Sequence, residues 1–318
     1  MVHCASGRRR TDLTAANRLS LRNHARALLI QAANWARLDV MALQVQKLRR
    51  GPCGLVVAVH ETPALLEEQF RSQLQWAAQH FTITNIETFA GLWDQDADIH
   101  RWSKPPLLFT FDDGRENNYA VAAPLLESFG GRGVFFVVPE FVERGSTAQA
   151  LSFYRTRINP DSEDGDEDGN QALDEWKSMN AAQIEDLVSR GHTIGNHSLT
   201  HERLAGLTRQ QLEQEIGDSA RKLSSWIHKP VDAFAWTFGW NEIDAAAWQV
   251  IRRYHRFCFS PCAGLIDSRH DSPALLWRRE IEVRYSPAEY RFCYSGLVDL
   301  WWNSRRRRLR EMLRIPSQ

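Results

Sequence analysis

Apolar and polar residues alternate along this chain in two rhythms, and the change from one to the other marks its parts. From Leu19 to Leu48 no Pro or Gly intervenes, and Leu21, Ala25, Leu28, Leu29, Ala32 and Trp35 fall three or four residues apart. That spacing predicts one or two amphipathic helices, with Arg18, Arg22, Arg26, Arg37, Lys47 and Arg49 on the other face. Gly51-Pro52 ends the segment. Leu55 to Val59 is then a short β-branched run ending in His60, as a strand buried on both faces reads.

Beyond it the two patterns take turns. Residues 64–80 have helical periodicity, Phe81 to Thr84 reads as a strand, and Ile86 to Trp93 as a short helix. Leu107 to Phe111 is a second buried strand, closed by the Asp112-Asp113-Gly114 turn and followed by a helix over Asn118 to Phe129. Val134 to Val138 continues as a strand, Ala181 to Arg190 as a helix, and His192 to Gly195 as a strand that delivers Asn196 and His197. Thr208 to Ile227 is helical, Phe234 to Phe238 apolar, Ala245 to Tyr254 helical, and Phe257 to Ser260 strand-like. A βαβα succession of this kind predicts an α/β architecture with a parallel sheet or barrel, whose functional groups gather at the C-terminal ends of the strands. His60, Asp112 and Asp113 all stand at such ends.

Composition adds a charge asymmetry. The 318 residues carry 39 Lys plus Arg and 39 Asp plus Glu, but the balance is local. Residues 1–50 hold ten basic against two acidic side chains, residues 51–283 hold 21 against 34, and residues 284–318 hold eight against three. This divides the chain into a basic helical extension (1–50), an acidic body (51–283) and a basic Trp/Arg-rich tail (284–318). Within the body, residues 159–170 (NPDSEDGDEDGN) are too poor in apolar side chains to offset the entropy of ordering and read as a solvated loop insertion. The basic flanks either fold back on the acidic body or meet an anionic membrane surface, for which Trp301, Trp302 and Arg305 to Arg308 are suited. A body of negative charge repels a phosphate backbone, so no nucleic-acid partner is expected.

Five cysteines without paired close spacing fit a reducing compartment, and Cys258 and Cys262 read as buried structural thiols. No apolar run approaches roughly 20 residues, and no signal-peptide core follows Arg8 to Arg10. The expected location is the cytoplasm, peripheral to the inner membrane face if the flanks bind it.

Three separated pieces carry chemistry: Thr110 to Gly114 (TFDDG), His197 to His201 (HSLTH) and Phe234 to Gly239 (FAWTFG). Adjacent carboxylates at a strand end point in different directions, so one can hold a cation while the other faces a water beside it. Two His four residues apart would share one face of a helical turn and converge on one metal ion. One Asp and two His form a three-ligand set that leaves coordination positions open, as catalytic sites do. Each piece alone has an ordinary reading, a surface pair or a turn; the combination points to hydrolysis.

These motifs resemble the polysaccharide deacetylase family, also called the NodB-homology or carbohydrate esterase family 4 domain. The likeness runs from about Leu55 to Val283 and includes LVVAVHE as a first strand ending in His and GHTIGNH leading into the histidine pair. It implies a distorted (β/α) barrel, here with an N-terminal helical extension. It also implies that Asp113, His197 and His201 hold a divalent ion, zinc first and cobalt or manganese as alternatives, with Asp112 as general base. The implied reaction removes an acyl group, N-acetyl by default, from an oligo- or polysaccharide such as those of the cell envelope.

Two departures stand against it. The third motif of many members carries an Arg that braces the base, where this chain has Ala235, and the late Leu-x-His that supplies a general acid is not recognisable. His60 is a candidate for the missing acid, Trp236 and Phe238 for stacking on sugar, and Arg278 or Arg279 for orienting a carboxylate. Two other readings therefore stay open: a deformylase or deacetylase of a lipid-linked sugar at the inner membrane face, and a decayed carbohydrate-binding or scaffold protein.

Overall fold

A computed structural model describes residues 37–38, 41–42, 53–94, 103–145, 148–160 and 176–315. The expected helices of the N-terminal extension and most of the acidic stretch at 159–170 lie outside the described residues.

Among the described residues ten strands build one sheet: β1 (Cys53–Val59), β2 (Thr82–Ile83), β3 (Pro106–Phe111), β4 (Val134–Val137), β5 (Thr193–Asn196), β6 (Ala233–Ala235), β7 (Phe257–Ser260), β8 (Ile266–Asp267), β9 (Leu276–Trp277) and β10 (Arg279–Glu280). The hydrogen-bonded order is β10-β1-β3-β4-β5-β6-β7-β9, with β2 beside β3 and β8 beside β1. Every pairing is parallel except β1 with β8. The two ends of that order, β9 and β10, are consecutive in the chain and separated by Arg278 alone. One extended segment therefore pairs through Phe259↔Leu276 on one side and Val57↔Arg279 on the other, and the sheet curls into a nearly closed barrel.

The seven residues of β1 and six of β3 are all buried, which explains their unbroken apolar sequences. Alternation still sorts their faces. Leu55, Val57, Val59, Leu107, Phe109 and Phe111 pack with Phe70 and Leu74 of the helix Glu67–His80 and with Tyr290 and Tyr294 of the helix Pro287–Ser295. Val56, Leu108 and Phe136 belong instead to a second cluster with Trp236, Phe259 and Trp277.

The helices start where capping chemistry lets them. Asn180 and Gln183 exchange hydrogen bonds at the start of Ala181–Ser189, Thr208 and Gln211 at the start of the helical stretch that runs on to Ile227, and Asp244 caps Ala245–Tyr254. The sequence pattern missed β8, β9 and β10, each two residues long.

The C-terminal segment forms two helices, Pro287–Ser295 and Asn303–Met312, joined by a turn of 3-10 helix over Leu297–Trp302. Leu309 and Leu313 are buried in the same cluster as Trp277. Arg279, buried in β10, donates to both oxygens of Asp299 at 2.8 and 2.6 Å and to the Tyr294 carbonyl at 2.8 Å. Arg306 donates to the Ala263 carbonyl and Arg310 to Asp271. Part of the arginine run is thus spent on the barrel rather than left in solvent. No described helix is long and apolar enough to cross a membrane.

Candidate metal centre and active-site cleft

A cleft of about 640 Å³ opens at the C-terminal ends of the strands, where a parallel α/β barrel presents its functional groups. His60 follows β1, Asp112 and Asp113 follow β3, His197 follows β5, Trp236 and Phe238 follow β6, and Arg278 joins β9 to β10. All of them border it.

Asp113, His197 and His201 are buried and offer three ligand atoms within 4.8 Å of one another. Both imidazole Nε2 atoms face Asp113 Oδ1 at 3.6 Å. The expected helical turn at HSLTH is not what brings the histidines together. Residues 197–201 lie in an irregular loop, with positive φ at Ser198 (62°) and His201 (58°). Asp113 (72°) and Phe238 (57°) share that conformation, so four of the seven described non-glycine residues with positive φ surround one point. Each costs on the order of 1–3 kcal/mol, and such backbone persists only where its surroundings over-determine it.

Hydrogen bonding fixes what these groups present. His197 Nδ1 lies 3.0 Å from the Ala235 carbonyl and His201 Nδ1 2.7 Å from that of Arg157. A carbonyl only accepts, so both Nδ1 atoms carry the proton and both Nε2 lone pairs point inward. Burial, reinforced by the neighbouring His197, pushes the His201 pKa down to about 4, so its ring is neutral at pH 7. The other oxygen of Asp113 is occupied: Arg115 Nε and Nη2 donate to Oδ2 at 3.1 and 3.0 Å. Burial pushes the Asp113 carboxyl up, but the Arg115 charge and the nearby histidines hold it below the usual range. Three acceptors therefore converge with no donor between them, which is the arrangement a divalent cation satisfies.

Asp112 points elsewhere. Arg278 Nη1 donates to its Oδ1 at 2.6 Å and to Thr110 Oγ1 at 3.2 Å, and the Thr110 hydroxyl donates to the Val57 carbonyl at 2.9 Å. Burial raises the Asp112 carboxyl, yet Arg278, with His197 and His60, overrides it and keeps the group ionised well below the usual range. The bracing arginine missing at Ala235 is thus supplied by the segment that closes the barrel.

His60 stands at the mouth, its side chain 40% exposed, with Nε2 3.9 Å from Asp112 Oδ2 and Nδ1 3.7 Å from Glu280 Oε1. Burial acts to lower its pKa, but Glu280, Asp112 and Asp113 together raise it. Asn118, hydrogen-bonded to Thr62, donates to the His60 carbonyl at 3.0 Å and fixes the backbone there.

Trp236 is 1% exposed and edge-on to Phe234, so it belongs mainly to the core. Phe238 is half-buried, its ring 4.6 Å from that of His201. Arg279 faces away from the cleft toward Asp299. Arg115 and Glu280 escaped sequence reasoning; the position of Arg115 directly after the DDG turn was the available signal for the first. Cys258 and Cys262 are free and buried, their thiols pushed up by burial to about 12 and about 11. His255 is bound to the Val231 carbonyl and to Asn196, inside the core.

The model of a family described as "Polysaccharide deacetylase" matches residues 101–255, which span the Asp-Asp and His-His motifs. Those residues match the polysaccharide deacetylase family. YxkH of Bacillus subtilis, provisionally named a polysaccharide deacetylase, is 23% identical over 141 residues, 44% of this chain and 39% of its own length. The match thus spans about two fifths of that relative. Among solved structures, the deacetylase PplD of Streptococcus pyogenes, in complex with acetate, superposes with a TM-score of 0.56 at 16% identity over 74% of this chain and 95% of its own. A polysaccharide deacetylase of Bacillus cereus gives 0.54 at 19% over 76% and 68%, and the BpsB deacetylase domain of Bordetella bronchiseptica 0.55 at 15% over 72% and 96%. At these identities the structures establish the fold, an α/β nearly closed barrel of the deacetylase type.

Proposed function

We propose that this protein is a metal-dependent hydrolase that removes an acyl group, most simply N-acetyl, from a carbohydrate. One observation carries the reading: the Asp113, His197 and His201 acceptors converge with their protons and other oxygen committed elsewhere, beside an ionised Asp112 and at the end of a cleft. A divalent cation held by these three residues supplies Lewis acidity, which acidifies water and polarises an acyl carbonyl.

The chain's own residues do the rest. Asp112, held in place and ionised by Arg278, accepts a proton from the water that adds to the acyl carbon. His60, half-exposed with Glu280 3.7 Å and Asp112 3.9 Å from its ring nitrogens, delivers a proton to the nitrogen as its bond to the acyl carbon breaks. The carboxylic acid and the free amine leave. Arg278 and His60 take the two places whose vacancy in the motifs favoured a decayed binding protein, and this supports the catalytic reading over that one.

Acetate release from N-acetylated oligosaccharides with Zn²⁺, Co²⁺ or Mn²⁺ tests the proposal. Turnover that depends on added metal and falls by about 100-fold or more in Asp112→Asn and His197→Ala supports it; a rate unchanged in either variant sinks it. Formate in place of acetate as the released acid would redirect the reading to a deformylase.

A further inference from the structure

The fold divides the Trp/Arg-rich C-terminal segment between the barrel and the solvent. Trp302 borders the cleft, Arg306 and Arg310 reach the Ala263 carbonyl and Asp271, and Leu309 is buried. The rest faces outward. Leu300 and Trp301, in the 3-10 turn Leu297–Trp302, are 67% and 57% exposed. Trp301 lies against a small apolar cluster separate from the cores of the barrel, its ring 5.8 Å from that of Phe292. Phe292 in turn packs on Ala288, Leu297 and Val298. An indole and an isobutyl group held in water in this way form an apolar surface that the sheet and its helices leave uncovered.

The charge around this surface has one sign. Arg291, next to Phe292 in the chain, is exposed, as are Arg307 and Arg308, which follow Trp302 by less than two helical turns, under about 10 Å. Of the three, only Arg307 pairs with a carboxylate among the described residues, Glu311 at 3.8 Å. The other acids of the segment are committed, Asp299 to Arg279 and Glu289 to the backbone and hydroxyl of Ser286. Residues 284–318 therefore carry eight basic against three acidic side chains and present unpaired cations beside exposed Leu and Trp.

That charge selects the occupant. Residues 1–50, with ten basic against two acidic side chains, are of like sign and are repelled. A second copy meeting the first through the same patch would set arginine against arginine. A bilayer with anionic headgroups suits both halves of the surface: the indole sits at the boundary between headgroups and hydrocarbon, and each arginine near the surface strengthens binding by about fivefold.

We infer that Leu300 and Trp301, ringed by Arg291, Arg307 and Arg308, form a docking surface for membranes that carry anionic phospholipids. Trp302, the next residue, borders the cleft, so docking sets that edge of the cleft beside the bilayer.

Co-sedimentation of the full chain with phosphatidylcholine vesicles, with and without phosphatidylglycerol, tests this without any use of turnover. The wild type should pellet only with the anionic vesicles, and less at about 0.5 M than at about 0.05 M salt. The partition coefficient should fall by about tenfold or more in the double variant Leu300→Ser, Trp301→Ser, and by about 25-fold in Arg291→Gln, Arg308→Gln. Circular dichroism checks that each variant is folded. Leu300→Ser alone, at a side chain mostly in water, keeps the test open if the loss of Trp301 disturbs the fold, and should lower binding about threefold or more. Equal pelleting of wild type and folded variants, equal pelleting with both vesicle types, or a wild type that stays in the supernatant with both overturns the inference. So does a wild-type dimer in size-exclusion chromatography that the double serine variant dissociates while vesicle binding is unchanged, since the patch is then a contact between copies.

Discussion

Arg278→Met removes the cation 2.6 Å from Asp112 and leaves a carboxylate that is only 2% exposed without its principal partner. Breaking one side of a buried pair costs ~3–5 kcal/mol. At about 2–4 °C per kcal/mol for a domain of this size, the melting temperature should fall by roughly 6–20 °C at pH 7. The loss depends on pH. The Asp112 pKa lies below the ordinary aspartate value of 3.8 in the folded chain, so the stabilisation it contributes is present above that value and lost as pH falls through the folded one. Wild type and variant should therefore differ most at neutral pH and converge fully only well below the ordinary aspartate value of 3.8. Without Arg278, burial drives the carboxyl upward, and the acid limb of the kcat/KM profile moves to higher pH. Thermal unfolding by circular dichroism at pH 7, 5 and 4, with a pH–rate profile on the folded variant, checks both. Arg279→Met is the control: it also breaks a buried pair, with Asp299, but faces away from the cleft, so its acid limb should stay in place. A melting temperature unchanged at pH 7, or an acid limb that moves equally in both variants, would refute the assignment of Arg278 to Asp112.

Other outcomes follow from the same geometry. Glu280→Gln removes a neighbour that raises the His60 pKa; the protonated form is then lost at lower pH, so the basic limb of kcat/KM should move down, and a basic limb that stays fixed argues against His60 as the acid. His201→Ala deletes one of three ligands, and metal retained after gel filtration, measured by elemental analysis, should fall by about tenfold or more. Gly195 has the Phe136 ring where a Cβ would stand, 2.3 Å away, so Gly195→Ala should destabilise the fold by ~1–3 kcal/mol in urea denaturation; a neutral result would mean that β5 can shift.

Legibility in the sequence tracked the range of the interaction involved. β1 and β3 were readable because strands buried on both faces need continuous apolar runs, and the helix Ala245–Tyr254 because its cap and its periodicity are both local. β9 and β10 were not, since two-residue strands exist only by virtue of what they pair with. The site divides in the same way. Asp112, Asp113, His197 and His201 stood out as residue types at recurring spacings, yet the geometry assumed for the histidines was wrong: HSLTH is a loop held by the Ala235 and Arg157 carbonyls, neither of which a local pattern can announce.

The arginines show where the boundary falls. Sequence alone determined the parallel α/β plan, the acidic body between basic flanks, and the carboxylates and imidazoles able to hold a cation, because these depend on composition and on periods of a few residues. It left Arg278 and Arg279 interchangeable. Tertiary structure separated them by sending alternate side chains of one extended segment to opposite faces at the seam of the barrel, the first to Asp112, 166 residues away in the chain, and the second to Asp299. The contact of Arg305 with Trp240 and Trp302, two rings that border the cleft, has the same origin. Both depend on where the barrel closes, which is set by the pairing of all its strands at once and is written in no single stretch of the chain.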